Sequence, residues 1–282
     1  MDLIQISKAI ATDIDSQIIE QSKEGHRRKL GASKIGEPCH RKLWFLFRWC
    51  VLEKFDARMH RLFEHGNLAE PRFINWLRNI GATVHSHHEN GDQYKMSDLD
   101  GHFAGKLDGI CILPPKYGID EPILLECKTI GTGKPFTDAV KHGMSMEKPE
   151  HYIQACVYAT DPQYNFRYCL YMLLNKNDDS LHVELISINK QVGKNIREKA
   201  KLIIYSQTPP DRVSKDAAYV KCKYCVANKV CHENAPPLRN CRSCRHASPA
   251  PDAQWQCAKY AMTIPLEYVP NGCEEYEQLC MS

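Results

Sequence analysis

The fold is decided by the stretch Pro-Ile-Leu-Leu-Glu-Cys-Lys at residues 122–128, an apolar run that ends in charge. A short apolar run of this length predicts a buried β-strand. Because side chains alternate along a strand, Glu126 and Lys128 share one face, while Cys127 points away and its carbonyl is free to turn inward. Glu-x-Lys alone is a common surface pattern, but its position at the end of a buried strand indicates a functional site.

A second strand is predicted at residues 102–113, where side chains of different character alternate. The alternation places Lys106, Asp108 and Ile110 on one face of this strand. If the two strands are neighbours in a sheet, Asp108 meets Glu126. Two carboxylates and a backbone carbonyl form an all-oxygen ligand set, which Mg²⁺ and Mn²⁺ prefer.

A third carboxylate is expected from Glu70, which falls in the apolar stripe of a predicted helix at residues 57–80. A carboxylate on a buried stripe is costly unless it is paired or bound to a cation, so Glu70 is a candidate metal ligand. The proline that follows it leaves open a surface glutamate beside a kink. Lys128 would lie beside the metal. This arrangement suits phosphodiester hydrolysis, because the cation activates water while the lysine orients the nucleophile or stabilises developing charge.

The remaining periodicities predict a single α/β domain over residues 1–235, with a mixed central β-sheet flanked by helices. Strands are predicted at residues 82–88, 102–113, 122–129, 167–174 and 181–188. Helices are predicted at residues 2–22, 40–52, 57–80, 135–143, 150–160 and 190–206.

The composition is that of a soluble globular protein, with 43% hydrophobic and 25% charged residues, and it excludes a disordered or fibrous chain. No stretch is apolar enough for a membrane span, and acidic residues interrupt the N-terminus where a signal peptide would be apolar. We therefore expect a cytoplasmic protein with no membrane partner. The formal net charge of +3 does not indicate nucleic acid binding, which leaves the basic stretch at residues 27–42 as a local phosphate contact or a solvated loop.

The 14 cysteines are the unusual feature of the composition. In a reducing compartment, clustered cysteines indicate metal ligands rather than disulfides. The segment at residues 236–282 is poor in aliphatic residues, and a tetrahedral zinc site would supply its missing folding free energy, on the order of 10 kcal/mol. We therefore predict a small zinc-ribbon-like module there, with structural Zn²⁺ and a surface for DNA or a protein partner. Its four ligands are Cys241, Cys244, Cys257 and Cys273.

A second group, C-x2-C-x5-C, consists of Cys222, Cys225 and Cys231 and lacks a fourth ligand. His232 is one candidate, although adjacent ligands point apart unless the backbone turns sharply. Cys39 is the other, because it opens a helical run and so is placed at a helix start. Four thiolates suit zinc or an iron–sulfur cluster, and the spacing does not decide between them.

Together, the carboxylate and lysine motifs resemble those of the PD-(D/E)XK nuclease superfamily, and within it the RecB-like exonuclease branch that includes CRISPR-associated and bacteriophage members. The resemblance covers roughly residues 27–235 and implies a restriction-endonuclease-like core. Two residues depart from the pattern, since Leu107 stands in place of proline and Glu70 in place of a histidine common in the branch. The matching motifs are Gly66-Asn67-Leu68-Ala69-Glu70, Leu107-Asp108-Gly109, Glu126-Cys127-Lys128 and Gln154-Ala155-Cys156-Val157-Tyr158.

The resemblance implies a Mg²⁺- or Mn²⁺-dependent DNA exonuclease in which Asp108, Glu126 and Lys128 are catalytic. It implies work on DNA ends or single strands in recombination, repair, replication or host-DNA degradation, and a bacteriophage origin with activity in the host cytoplasm. Gln154 and Tyr158 lie four positions apart on a predicted helix, so they would position a DNA phosphate or the catalytic lysine. A DNA endonuclease of the same fold and a non-catalytic DNA-binding or adaptor protein with structural metal sites are the alternatives.

The resemblance also bears on the second cysteine group. Several RecB-like nucleases join one cysteine before the nuclease motifs to a distal C-x2-C-x5-C, and the four thiolates hold a 4Fe–4S cluster. Cys39 with Cys222, Cys225 and Cys231 is similar to that pattern. Arg41 and Trp44 resemble the C-x-R-x-x-W context of the first cysteine. The resemblance therefore implies an iron–sulfur cluster here, with Zn²⁺ at the same cysteines as the alternative.

Overall fold

The structure is a computed structural model, and it describes residues 2–22, 25–131 and 133–280. The helices are α1 (Leu3–Gln21), α2 (His40–Phe47), α3 (Ala57–Asn79), α4 (Lys134–His142), α5 (Met144–Glu147), α6 (Pro149–Ala159), α7 (Lys190–Tyr205), α8 (Val220–Lys223) and α9 (Asn228–His232). The strands are β1 (Leu30–Gly31), β2 (Thr83–His85), β3 (Lys95–Asp98), β4 (Phe103–Lys106), β5 (Gly109–Ile112), β6 (Ile123–Ile130), β7 (Tyr168–Asn175), β8 (Leu181–Ser187), β9 (Ala247–Ala250), β10 (Gln254–Cys257) and β11 (Met262–Thr263).

The central sheet has five strands in the order β2-β5-β6-β7-β8. β6 and β7 run parallel, whereas the other neighbouring strands are antiparallel. Helix α3 packs on one face of the sheet, and α2, α6 and α7 lie on the other. The predicted α/β fold with a mixed central sheet flanked by helices is therefore confirmed.

Strand β6 is buried on both faces, as its apolar sequence predicts. Leu125 belongs to the core cluster that includes Phe73 of α3, whereas Leu124 belongs to the cluster that includes Tyr158 of α6. Both leucine side chains are fully buried. Burial on both faces fixes the strand in the middle of the sheet, so the charged residues that follow emerge at one defined edge.

The predicted strand at residues 102–113 is broken in the structure. Its first half, β4, pairs with β1 and β3 in a separate three-stranded sheet, and its second half, β5, joins the central sheet. Leu107 and Asp108 lie between the two strands, and the Leu107 side chain is fully buried. The alternation of polar and apolar residues continues across this break. Such alternation shows which side chains are buried, but it does not show which sheet the strand pairs with.

The C-terminal segment packs into the same core as the central sheet. Strands β9, β10 and β11 form a small antiparallel sheet, from which Ala247 and Trp255 reach the cluster that contains Phe47 of α2. The ring centroids of Phe47 and Trp255 lie 5.6 Å apart. The predicted division between residues 235 and 236 stays a prediction.

Helix α1 is capped at its N-terminus, and it contacts the rest of the protein through an ion pair with α3. Asp2 caps the helix, because its side chain accepts a hydrogen bond from Gln5 N and the Gln5 side chain accepts one from Asp2 N. None of its side chains is buried, and Asp15 pairs with Arg61 of α3. Among the described residues, no helix combines the length and apolar character that crossing a bilayer requires.

Candidate active site and cysteine cavities

The three predicted catalytic side chains, Asp108, Glu126 and Lys128, converge at one end of β6. Lys128 Nζ contacts Glu126 Oε1 and lies 3.8 Å from Asp108 Oδ2. Lys128 Nζ also donates a hydrogen bond to the Cys127 carbonyl at 3.3 Å. The structure therefore brings together the residues that the sequence placed in one site, although their catalytic roles stay predictions.

The end of β5 explains how Asp108 reaches this position. Gly109 pairs with Leu125, so Asp108 lies opposite Glu126 but precedes the first residue of the strand. Cys127 N has lost its ladder partner at this point, and it donates instead to Asp108 Oδ2 at 2.7 Å. This bond satisfies a backbone donor that would otherwise be unpaired, and it fixes the carboxylate beside Lys128.

The electrostatics of the site are set by burial and by an excess of carboxylates. Burial raises the pKa of Glu126 to about 7, the Lys128 ammonium opposes the rise, and the charges of Asp108 and Glu70 add to it. Burial alone would lower the pKa of Lys128, but Glu126 and Asp108 raise it above the ordinary value. Lys128 is therefore positively charged at neutral pH. The carboxylates of Glu126 and Asp108 both interact with its ammonium.

Glu70 approaches the same site from α3. Its side chain is half-buried, and its pKa is raised by burial and by the charge of Asp108, against the opposing effects of Lys128 and Lys106. The helix lies close to the sheet here. A methyl group added to Gly66 would be 3.8 Å from Thr129 Oγ1 of β6. Helix α3 continues through the proline after Glu70, so the glutamate is part of the regular helix.

Gln154 and Tyr158 lie beneath the carboxylates. Gln154 Nε2 donates to Glu126 Oε2 at 3.2 Å, and it lies 3.5 Å from the Tyr158 hydroxyl. Both side chains are buried, at 5% and 1% exposure. The observed contact is with Glu126, so these residues hold a carboxylate in place, and contact with a DNA phosphate stays a prediction.

His151 was not identified from the sequence. Its Nδ1 lies 3.0 Å from the hydroxyl of Tyr171, which is the β7 residue paired with Glu126. Burial and the nearby Lys128 charge lower the pKa of His151 to about 3, so the ring is neutral. The sequence pattern that could have identified it is spacing. His151 lies three residues before Gln154 and therefore projects from the same face of α6.

The donor set of this site fits a hard divalent cation. Asp108, Glu126 and Glu70 supply carboxylate oxygens, the Cys127 carbonyl supplies another oxygen, and Lys128 compensates only part of the negative charge. In the part of the chain that the structure describes, no three side chains of histidine, cysteine, aspartate or glutamate are arranged to hold a metal ion as they stand. Metal binding would therefore require these side chains to close on the ion.

The first cysteine group is gathered around one cavity. Cys39 lies at the start of α2, where its sulfur accepts a hydrogen bond from Lys42 N, and the cysteines of the C-x2-C-x5-C motif lie on and between α8 and α9. His232 lines the same cavity, so both candidates for a fourth ligand are present. The four cysteines lining it are Cys39, Cys222, Cys225 and Cys231.

The second group lines another cavity in the C-terminal segment. A turn at residues 241–244 is closed by a 3.1 Å hydrogen bond from Cys244 N to the carbonyl of Cys241. Cys257 ends β10 opposite Ala247, which brings it back beside this turn. The four cysteines lining the cavity are Cys241, Cys244, Cys257 and Cys273.

Comparisons with known proteins found no matching family model and no curated relative. Among solved structures, SSO0001 is 13% identical with a TM-score of 0.41 over 79% of this chain and 96% of that one. An alkaline exonuclease from Laribacter hongkongensis (LHK-Exo) is 14% identical with a TM-score of 0.40, over 68% of this chain and 90% of its own. The same enzyme in complex with dAMP is 15% identical with the same TM-score and coverage. Similarity at this level assigns neither a family nor a function to the chain.

Proposed function

We propose that the protein is a Mg²⁺- or Mn²⁺-dependent DNA exonuclease that hydrolyses phosphodiester bonds at DNA ends. The observation that carries the proposal is the convergence of Asp108, Glu126 and Lys128 at the open end of β6, with Glu70 approaching from α3. An excess of carboxylates beside a partly buried ammonium destabilises the fold, and such charge clusters are found most often at functional sites, which supports a functional role for this one.

Asp108, Glu126, Glu70 and the Cys127 carbonyl would hold the metal ion. When bound, such an ion supplies Lewis acidity and an activated water. Gln154 fixes the orientation of Glu126 through a 3.2 Å hydrogen bond, and Cys127 N fixes that of Asp108. The chain thus restrains both carboxylates before any substrate arrives, which lowers the cost of ordering the site.

Lys128 is the group proposed to act on the substrate. Its pKa is raised by Glu126 and Asp108 despite burial, so it keeps its proton and does not act as a base. As a fixed cation it holds the attacking water by hydrogen bonding and stabilises the negative charge that develops on the phosphoryl oxygens. The Lys128 ammonium lies next to both Asp108 and Glu126, which would hold the metal ion. The same side chain can therefore both hold the water and stabilise the phosphoryl oxygens.

A groove near the N-terminal part of the chain supplies a surface for the DNA backbone. Arg27, Lys29 and Lys34 line it, and apolar side chains such as Leu43 and Phe47 form part of the same lining. Clustered cations of this kind bind phosphates without regard to sequence. We propose that DNA lies along this surface on its way to the carboxylates.

The test is cleavage by purified protein with Mg²⁺ or Mn²⁺ on linear and circular DNA. We expect the linear substrate to be degraded and the circular one to survive. Asp108→Asn, Glu126→Gln and Lys128→Met are each expected to abolish cleavage, and Glu89→Gln, which changes an exposed carboxylate, should not. Cutting of covalently closed circles would instead support an endonuclease. DNA binding that needs no divalent cation and persists in Asp108→Asn, without cleavage by the wild type, would support an adaptor protein.

We propose further that Cys39, Cys222, Cys225 and Cys231 hold an iron–sulfur cluster, with zinc as the alternative. The support is that one cavity gathers cysteines from α2 and from the α8–α9 region. A shared metal centre would clasp these chain segments together. Iron and sulfide analysis with a visible absorption spectrum, on protein purified without oxygen, separates the two metals. Cys222→Ser should lose the iron that Cys280→Ser retains.

A further inference from the structure

Two arginine side chains are buried between the central core and the C-terminal segment. Arg48 and Arg242 are 0% and 1% exposed. Arg48 donates hydrogen bonds to the Ala247 carbonyl at 2.9 Å and to Gln207 Oε1 at 2.8 Å. Arg242 donates to the Arg28 carbonyl at 3.0 Å. All of these acceptors are neutral, so they satisfy donors but supply no opposite charge.

The two positive charges are uncompensated among the described residues. Neither Arg48 nor Arg242 forms an ion pair with a described carboxylate, and the Nε atoms of both, with Nη2 of Arg242, have no hydrogen-bond partner. The Arg242 guanidinium lies 4.5 Å from the ring centroids of Phe47, Trp49 and Trp255. Aromatic rings attract a cation but carry no net charge. Burying two like charges in this way is costly unless a negative group lies nearby.

The cysteines are the nearby groups that can become negative. Arg242 belongs to the turn at residues 241–244, between the first two cysteines of the C-terminal set. The Arg48 guanidinium contacts the same turn, because its Nη1 donates a 3.3 Å hydrogen bond to the Arg242 carbonyl. Burial raises the pKa of Cys50 to about 12 in spite of both arginines, so Cys50 is neutral at pH 7. A metal ion bound by the cysteines of this turn would keep their thiols deprotonated and so supply a negative charge beside both arginines.

We infer that Cys241, Cys244, Cys257 and Cys273 bind a single structural Zn²⁺, and that Arg48 and Arg242 compensate the negative charge of the resulting tetrathiolate centre. Four thiolates around Zn²⁺ leave two negative charges, which two guanidinium groups match in sign and number. The four cysteines already line one cavity. Because the described thiols are not arranged to hold an ion as they stand, binding draws them inward.

Zinc binding then stabilises the contact between the C-terminal segment and the core. The same arginines that compensate the metal centre pack against aromatic rings from α2 and β10. Loss of the metal would leave two buried cations without compensation at this contact. Zinc removal should therefore loosen the attachment of the segment to α2 as well as unfolding the turn itself.

The first test measures bound zinc and iron in the full-length protein by elemental analysis. The zinc content should fall by one ion per chain in Cys241→Ser and in Cys273→Ser. It should be unchanged in Cys280→Ser, a cysteine outside the cavity, and in Asp108→Asn, and the double variant Cys222→Ser/Cys241→Ser removes any zinc held by the other cysteine group. A zinc content that is undiminished in both Cys241→Ser and Cys273→Ser, or iron in place of the lost zinc, would overturn the site.

A spectrum of the wild type answers the same question if the serine variants fail to fold. Co²⁺ exchanged into the protein should give the visible bands of a tetrahedral ion and the thiolate-to-metal charge-transfer band. Adding Zn²⁺ should abolish both. Their absence from a wild type that takes up Co²⁺ would exclude a tetrathiolate site.

The second test concerns the arginines. Zinc affinity, measured by competition with a coloured chelator, should fall about 10- to 100-fold in Arg48→Met, in line with the effect of removing groups next to metal ligands. Arg48→Lys should retain most of the affinity, because the ammonium keeps the charge although it loses the planar hydrogen-bonding geometry. If the two variants lose affinity equally, the guanidinium acts through packing and hydrogen bonds, and charge compensation is wrong.

Discussion

Gln154 shows how much of the candidate site depends on a residue that need not touch substrate. It is buried, and its amide donates to Glu126 Oε2 at 3.2 Å. Glu126 is itself buried, so removal of this donor leaves a carboxylate oxygen poorly satisfied and free to rotate. Sequence reasoning found Gln154 through its spacing to Tyr158, but the carboxylate contact becomes visible only when α6 is placed against β6.

We predict that Gln154→Leu lowers kcat/KM on linear DNA by about 10- to 100-fold, the equivalent of one hydrogen bond to a charged group. The shape of the side chain is nearly kept, but the buried carboxylate loses a hydrogen bond, so the variant should also be destabilised by about 1 to 3 kcal/mol, and activities are compared at a temperature where both proteins are folded. Gln191→Leu is the matched control, because Gln191 lies on α7 and its side chain donates to Asn195 of the same helix. A variant as active as the wild type would show that Glu126 needs no positioning.

Gly105 is a second residue whose role is set by space. A methyl group there would contact the Tyr158 hydroxyl and lie 2.8 Å from Ala32 Cβ. Neither neighbour has room to move, because Tyr158 and Ala32 are both buried in the core. Glycine at this position therefore allows β4 to pass directly over α6.

Gly105→Ala should destabilise the fold by about 1 to 3 kcal/mol, the usual cost of an overpacked core. Displacement of Tyr158 should also reduce nuclease activity at temperatures where the variant remains folded. Gly25→Ala is the control, since no atom of the described residues lies within 4 Å of a methyl group there. Urea unfolding of the two variants gives the comparison, and equal stabilities would contradict the close contact.

At the scale of the element, the strands and helices that sequence periodicity predicted correctly are those with one unbroken pattern. The stretch at residues 122–129 is β6 shifted by a single residue, and the stretch at 57–80 is α3 within the same margin. The failure at residues 102–113 has a physical cause, since the chain changes sheets at Leu107 and Asp108 without interrupting its alternation. That change of sheet creates the site, because it frees Asp108 from strand pairing.

Strand β6 makes a prediction about stability that follows from its burial on two faces. Leu124→Ala and Leu125→Ala should each cost about 2 to 5 kcal/mol, because each leaves a cavity in a different core cluster. Ile112→Ala on the neighbouring β5 should cost much less, since Ile112 is 38% exposed. Chemical denaturation measures all three. A small loss in only one of the two leucine variants would mean that β6 is packed on a single face.

At the scale of the whole molecule, the sequence predicted which residues meet but not how the C-terminal segment is attached. The convergence of Asp108, Glu126 and Lys128 follows from strand period and neighbour order, both of which leave a trace in sequence. The contact between Phe47 and Trp255 leaves no such trace, because it joins residues that are separated by most of the chain. The predicted module at residues 236–282 stays a prediction, and the structure adds that buried side chains of this segment contact the cluster that contains Phe47.

A shared core implies that the C-terminal segment and the α/β domain unfold together. Trp255 is 3% exposed and lies against Phe47 and both buried arginines, so Trp255→Ala should destabilise the entire chain by about 3 to 5 kcal/mol. Tyr260→Ala is the matched control, an aromatic residue of the same segment that is 53% exposed. Urea unfolding followed by hydrogen exchange at α2 and at β10 should give coincident transitions that shift together in Trp255→Ala. If the segment exchanges at lower urea than α2, and the substitution leaves exchange at α2 unchanged, the segment is an independent module. The reason is that only a shared core transmits the loss of the Trp255 side chain from the segment to α2.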